Sequence, residues 1–230
     1  MSFAARYDMA VNNATFDFFI WAAHVKLLGA TSIVFGTKEF KSTKWGPDEI
    51  RRRYESICKP GAELCDLPYT EGDGGIVIGT HKLQGLLELK NWDFPRIKSK
   101  LPPGKERFTV TIRNTQMKTF RNSDEALWRS FAREIGAYVI EDYSVKPISL
   151  FDRVALYAGA QMNFGVVNGP MGLLYMTPYP MMMFDCSSCE HAWKKHGIWP
   201  DQQIPWMLPG QSLVWAKPTI ESLREAVAKL

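Results

Sequence analysis

Short apolar runs alternate with amphipathic stretches in the first part of the chain. β-branched and aromatic residues predict strands over 7–11 and 31–35. Between them, apolar residues recur at helical spacing from Phe16 to Leu27, and Gly29 is a residue type that commonly ends a helix. The pattern predicts a strand, a helix and a second strand.

The middle of the chain is interrupted by many glycines and prolines. Pro47 suits the first turn of a helix that the pattern continues to about residue 58. A brief strand over 76–78 and a helix over 81–90 follow. Pro102-Pro103-Gly104-Lys105 indicates a linker, so we expect a domain boundary after residue 104.

The second half repeats the alternation more regularly. Its predicted elements in chain order are a strand over 108–112, a helix before Gly136, a strand over 137–140, a helix over 149–160, a strand over 162–167, a helix over 171–176, a strand over 181–185 and a closing helix over 219–230. Asn122 or Ser123 is the predicted cap of the first helix, and Ser149 opens the second with a capping box.

Short apolar strands that alternate with helices are typical of parallel sheets with right-handed crossover connections. The sequence therefore predicts an α/β protein made of two small Rossmann-like halves with parallel sheets. We expect the halves to span residues 1–104 and 105–230.

The charge balance narrows the possible partners. Lys and Arg number 28, and Asp and Glu number 24, so the formal net charge is +4. This mild excess suits an anionic small molecule better than a nucleic acid. The basic run Arg51–Arg53 lies among acidic residues, as on a solvated helix face. Because we find no signal peptide and no transmembrane segment, we expect a cytoplasmic protein.

In a doubly wound sheet, ligands bind beyond the carboxyl ends of the strands. Polar residues stand near the predicted strand ends in both halves. They are Asn12 and Asn13 in the first half, and Arg113, Asp142, Tyr143, Asn168, Gly169 and Pro170 in the second.

Arg113 and Arg121 are candidates for binding a diphosphate. Arg113 directly follows the strand over 108–112, and Arg121 precedes the next helix. Two planar guanidinium groups that face one crevice suit a diphosphate. The structural alternative pairs Arg113 with Asp142, and Arg121 with an acidic residue of the following helix.

The Asn168-Gly169-Pro170 turn is the sharpest phosphate-binding signal in the chain. It follows a predicted strand and opens a helix, and glycine lets an anion approach the backbone. Pro170 has no N–H, so Met171 and Gly172 are the expected backbone donors. An ordinary strand-to-helix loop is the alternative. The usual dinucleotide and P-loop motifs do not occur.

Residues 162–184, with their strand, turn, short helix and following proline, resemble the nucleotide-sugar-binding segment of two-lobed GT-B glycosyltransferases, above all the heptosyltransferase-like branch. Residues 109–113, Thr-Val-Thr-Ile-Arg, resemble the strand and arginine that open the C-terminal lobe of fucosyltransferase-like members. The resemblance covers residues 108–185. It implies that Arg113 contacts the diphosphate, that Asn168 and Gly169 cradle it, and that no metal or other cofactor is needed.

The resemblance implies a glycosyltransferase-like protein that moves a sugar from a nucleotide diphosphate sugar to an acceptor. Residues 1–104 would then form the acceptor half. An inverting transferase needs a general base, for which Asp17, Asp73 and His81 are the candidates. The alternative is a non-catalytic protein that binds a nucleotide or a phospho-sugar.

Two further patterns allow other hypotheses. Cys186-Ser187-Ser188-Cys189 could hold half a zinc site or act as a redox pair. Four tryptophans crowd the end of the chain and suit either sugar stacking or core packing. They are Trp193, Trp199, Trp206 and Trp215.

Overall fold

The computed structural model describes residues 2–41, 45–78, 82–88, 92–115, 118–141, 147–195 and 197–230, with the side chains of 82–84 excepted. The chain divides into two compact units. Unit 1 comprises Met1–Lys100 with Ser149–Phe151, and unit 2 comprises Leu101–Ile148 with Asp152–Leu230. Each unit has a parallel sheet flanked by helices, which confirms the predicted α/β fold with two Rossmann-like halves.

Unit 1 is built on a parallel four-stranded sheet with strand order β3-β2-β1-β4. Its elements are β1 (Phe3–Asp8), α1 (Asp17–Leu27), β2 (Ala30–Gly36), α2 (Pro47–Arg53), α3 (Lys59–Leu64), β3 (Tyr69–Glu71), β4 (Ile76–Val77) and α4 (Lys82–Glu88). Tyr7 and Phe35 of the sheet pack against Phe18 and Trp21 of α1. Aromatic packing therefore fastens α1 to the sheet.

Two predicted boundaries in unit 1 are wrong. The first strand ends at Asp8, because the chain then turns and the Asn12 N–H donates to the Asp8 carbonyl at 2.8 Å. The helix after Pro47 continues through a π-helical turn, Tyr54–Cys58, into α3. Pro60 lies in the first turn of α3, directly after the π-helical turn.

The second sheet has five parallel strands in the order β6-β5-β7-β8-β9. The elements after residue 101 are β5 (Phe108–Ile112), α5 (Glu125–Ile135), β6 (Tyr138–Glu141), α6 (Leu150–Gly159), β7 (Met162–Val166), α7 (Gly169–Leu174), β8 (Met181–Phe184), α8 (Glu190–Lys195), β9 (Gln211–Leu213) and α9 (Ile220–Ala228). Every residue of β5 and β7 is buried, as expected for central strands covered on both faces.

The two faces of this sheet are stabilised differently. On one face Phe131 of α5 and Leu223 of α9 join an apolar core with Phe164 of β7. The central strands also carry buried polar side chains. Thr109 donates to Asn163 at 2.6 Å, and the hydroxyl groups of Thr111 and Tyr157 lie 3.0 Å apart. Each of these buried polar side chains has a hydrogen-bond partner, so it avoids the free-energy cost of an unsatisfied polar group.

The structure also corrects two local predictions in unit 2. Asp124 caps α5, its side chain accepting a hydrogen bond from the Leu127 N–H. The expected linker is packed against α6, because the Gly104 N–H donates to the Ala155 carbonyl at 2.8 Å. None of the helices in the described ranges is long and apolar enough to cross a bilayer.

Candidate functional site

In unit 2 the order in which the chain adds strands to the sheet reverses between β5 and β7. From β5 the chain proceeds to β6 on one side and then to β7 on the other. At such a switch point the connections leave the two neighbouring strands on opposite faces and open a crevice at their carboxyl ends. Arg113 follows β5, Asn168 follows β7, and Asp185 follows β8.

Asn168 caps α7. Its Oδ1 accepts a hydrogen bond from the Met171 N–H at 2.7 Å, and its carbonyl accepts one from Gly172 at 2.9 Å. The two N–H groups expected to bind a ligand are therefore already used inside the turn that also contains Gly169 and Pro170. The Nδ2 of Asn168 is buried and has no hydrogen-bond partner among the described residues.

Arg121 connects the two loops at the switch point. Its Nη2 donates to the Val167 carbonyl at 3.0 Å, which holds the guanidinium beside Asn168. Its Nε is buried, and no described group accepts from it. The acids of the next helix are engaged elsewhere, since Asp124 caps α5 and Glu125 pairs with Arg129.

Arg113 is buried with only 8% of its surface exposed. Its Nη1 donates to the Lys118 carbonyl at 3.2 Å and to the Asn122 side chain. Asn122 in turn bonds both backbone groups of Thr115. Arg113 thus organises the loop that carries Arg121. Its suggested partner Asp142, and with it Tyr143, lies outside the described residues.

Asp185 is a candidate that the sequence analysis missed. Its backbone adopts the left-handed conformation (φ 58°), and 6% of its surface is exposed. Burial raises the pKa of its carboxyl group, an effect that the nearby charges of Lys217 and Arg121 partly offset. An acid at the end of an apolar strand was the available signal, but residue 185 was assigned to the strand itself.

Comparisons with protein-family models, with curated proteins and with solved structures each found no match. The geometry of the chain itself therefore has to carry the functional argument. That geometry assembles a cationic guanidinium, an amide donor without a described partner and a buried carboxylate at the carboxyl ends of neighbouring strands.

The corresponding edge of unit 1 is occupied by ion pairs. Arg6 pairs with Asp8 at 2.7 Å and lies 3.6 Å from Asp73, which also pairs with Lys38. The hydrogen bond from Lys38 and the charge of Arg6 hold the pKa of Asp73 below its ordinary value. Asp73 is therefore a weak proton acceptor. The other base candidates add little, because Asp17 is a surface residue that accepts from Thr15 and His81 lies outside the described residues.

Asn12 and Asn13 have separate environments. Asn12 folds back so that its backbone N–H and its Nδ2 both donate to the Asp8 carbonyl, at 2.8 and 2.9 Å. Asn13 lines a cleft of about 490 Å³ together with Phe40 and Trp45. Asn12 thus forms a turn, whereas Asn13 faces an open cleft.

The zinc, redox and sugar-stacking hypotheses concern side chains that are mostly buried. Burial raises the pKa of the Cys186 thiol to about 12, so at neutral pH the thiol is protonated and a poor nucleophile. Among the described residues no three His, Cys, Asp or Glu side chains gather as a metal site. Trp193, Trp206 and Trp215 are buried, as in core packing, whereas Trp199 is 53% exposed.

Proposed function

We propose that unit 2 binds the diphosphate of a nucleotide sugar at the carboxyl ends of β5 and β7, and that the protein transfers the sugar to an acceptor without a metal ion. The observation that carries the proposal is a pair of buried donors, Arg121 Nε and Asn168 Nδ2, for which no described residue supplies an acceptor. A buried donor without a partner costs about 1–3 kcal/mol. A ligand oxygen at this position would remove that cost.

The two donors suit an anion with several oxygens. They come from different loops, which the hydrogen bond from Arg121 to Val167 holds together. A guanidinium is always charged and can neutralise the charge that develops on a diphosphate leaving group. Arg121 thus supplies the electrostatic stabilisation that a metal ion supplies in other transferases. The GT-B resemblance of residues 108–185 implies a diphosphate at the same strand ends, although it assigns the arginine contact to Arg113.

A non-catalytic binding protein is the second candidate function. The ion pairs of Asp73 and the surface position of Asp17 favour it, because neither carboxylate has the desolvated environment of a general base. Such a protein would bind a nucleotide or a phospho-sugar without converting it.

Calorimetry with inorganic pyrophosphate, UDP, GDP, ADP and their hexose conjugates tests the binding step. We expect at least one ligand of this panel to bind the wild-type protein. Arg121→Ala and Asn168→Asp should each lower its affinity about tenfold or more. Asn168→Asp keeps the oxygen that caps α7, so it removes the donor without removing the cap. Arg224→Ala, an exposed arginine paired with Glu134, is the control and should bind normally. Absence of binding by the whole panel would refute the proposal.

Arg113→Ala provides a contrasting variant. Because this side chain holds the loop from Lys118 to Asn122, its removal should lower the melting temperature as well as the affinity. Product analysis with candidate acceptors then separates the two functions. Transfer or slow hydrolysis of the sugar nucleotide supports the transferase, and binding without either supports the non-catalytic protein.

A further inference from the structure

We propose that Asp185 accepts hydrogen bonds from sugar hydroxyl groups at this site, so that the ligand is a phosphorylated sugar or nucleoside and not a bare polyphosphate. The inference rests on the proposed function, because it assumes that a phosphate group occupies the donors of Arg121 and Asn168. It adds the part of the ligand that lies beside the phosphate.

A short chain of hydrogen bonds joins Asp185 to the phosphate donors. The Val167 carbonyl accepts from Arg121, and the Val167 N–H donates to the Phe184 carbonyl at 3.0 Å. Phe184 directly precedes Asp185, and Val167 directly precedes Asn168. The backbone of one residue, Val167, therefore ties the guanidinium, the amide and the carboxylate to the same edge of the sheet.

The Asp185 carboxylate keeps part of its hydrogen-bonding capacity. An ionised carboxylate can accept about four hydrogen bonds. Its described side-chain partners are the Ser187 hydroxyl, 3.4 Å away, and the Ser188 hydroxyl, which also donates to the Asp185 backbone carbonyl at 2.8 Å. No ion pair within 4.0 Å joins Asp185 to a described basic side chain, and its interactions with Lys217 and Arg121 act at longer range. The carboxylate is thus buried and can still accept further hydrogen bonds.

The chemistry of the ligand follows from the signs of the charges. A phosphate at neutral pH carries acceptor oxygens and is repelled by a carboxylate, so it belongs on Arg121 and Asn168. The group that faces Asp185 must donate hydrogen bonds. Hydroxyl groups of a ribose or a pyranose do so, and they stand next to the phosphate in nucleotides and sugar phosphates.

The backbone conformation at residue 185 does not by itself account for an aspartate at this position. Its N–H donates to the Ala216 carbonyl at 3.0 Å and the Cys186 N–H to Val214 at 3.2 Å, which fixes the left-handed turn at the end of β8. Glycine adopts this conformation without strain and asparagine does so readily. The backbone therefore does not require an aspartate, whose buried charge is costly.

The test compares Asp185→Asn with wild-type protein against two kinds of ligand. For the hydroxyl-bearing ligands that bind the wild type, we expect an affinity loss of about tenfold, because charged hydrogen bonds are replaced by neutral ones. For inorganic pyrophosphate we expect equal or tighter binding, since the neighbouring negative charge is gone. Asp201→Asn, an exposed aspartate that is also left-handed (φ 65°), controls for the backbone conformation.

The outcomes separate this inference from the proposed function. If pyrophosphate and the sugar nucleotides bind but Asp185→Asn leaves both affinities unchanged or lowers both equally, the assignment of Asp185 is wrong and the anion site stands. If wild-type protein binds no member of the panel, both are wrong. Asp185→Gly, which suits the turn and deletes the carboxylate, should reproduce the selective loss, and it replaces the Asn variant if that variant fails to fold.

Discussion

Burial of the Asp185 carboxylate should lower the free energy of unfolding by a measurable amount. Burial is the main cause of its raised pKa, and the charges of Lys217 and Arg121 together with the hydroxyls of Ser187 and Ser188 offset only part of it. Its folded-state pKa therefore lies above the unfolded value of 3.8. A group of this kind destabilises the folded protein when it is ionised.

Asp185→Asn should therefore raise the free energy of unfolding at pH 7. Above the folded-state pKa the aspartate is charged in both states and bears the full burial cost. As the pH falls through that pKa towards the unfolded value, the folded carboxyl group takes up a proton and the cost disappears. Thermal melting at pH 7 and near pH 4 should show a gain for the variant at pH 7 that shrinks at pH 4. A lower melting temperature at pH 7 would contradict this, and Asp201→Asn should show no such trend.

Arg113 and Arg121 lie close together in the sequence, but their positions give these two arginines different roles. Arg113 is held by Lys118 and Asn122 and shapes the loop. Arg121 reaches across to Val167 and keeps its Nε without a described partner. The first side chain determines where the second one lies.

At the scale of elements, the segment before β5 is part of the packing of unit 2. The Gly104 backbone lies so close to α6 that a Cβ on Gly159 would come 1.9 Å from the Gly104 carbonyl oxygen. Such a contact involves backbone on both sides and cannot be relieved by turning a side chain. The glycine at the end of α6 is required by this close approach.

Gly159→Ala should therefore destabilise the protein by about 1–3 kcal/mol or more, as expected for overpacking. In an ordinary helix the same change stabilises by about 0.5–1 kcal/mol. Urea denaturation measures the sign directly. Gly74→Ala is the matched control, because nothing lies within 4 Å of the added Cβ and Gly74 is not in the left-handed conformation, and it should be close to neutral. A stabilised Gly159→Ala protein would show that the close approach of Gly104 is absent.

At the scale of the whole molecule, the two sheets use their carboxyl edges differently. In unit 1 the edge is filled by the pairs that link Arg6, Asp8, Asp73 and Lys38. In unit 2 the edge keeps buried donors without described partners. Charges that neutralise one another have little attraction left for an anion, which is why the proposed ligand site lies in unit 2.

Asp73→Asn should accordingly leave pyrophosphate affinity within about twofold of wild type, because its carboxylate belongs to a neutralised surface cluster and such pairs contribute little. Because Lys38 holds its pKa low, the variant should also keep any sugar-transfer or hydrolysis activity. Calorimetry and product analysis check both expectations, with Arg121→Ala as the variant that should lose binding. A loss of turnover with unchanged affinity would restore Asp73 as the general base.

The sequence by itself determined the α/β class and most of the elements of unit 2. Apolar periodicity, glycines after helices and capping residues are local signals, and they located β5, β7 and the helix start after Asn168. Only the tertiary structure decided which groups face the crevice. Arg121 meets Val167 across 46 positions of the chain, and the neighbours of Asp185 come from the segment after β9 and the loop before α5. Such contacts depend on strand order, which residue patterns along one strand do not specify.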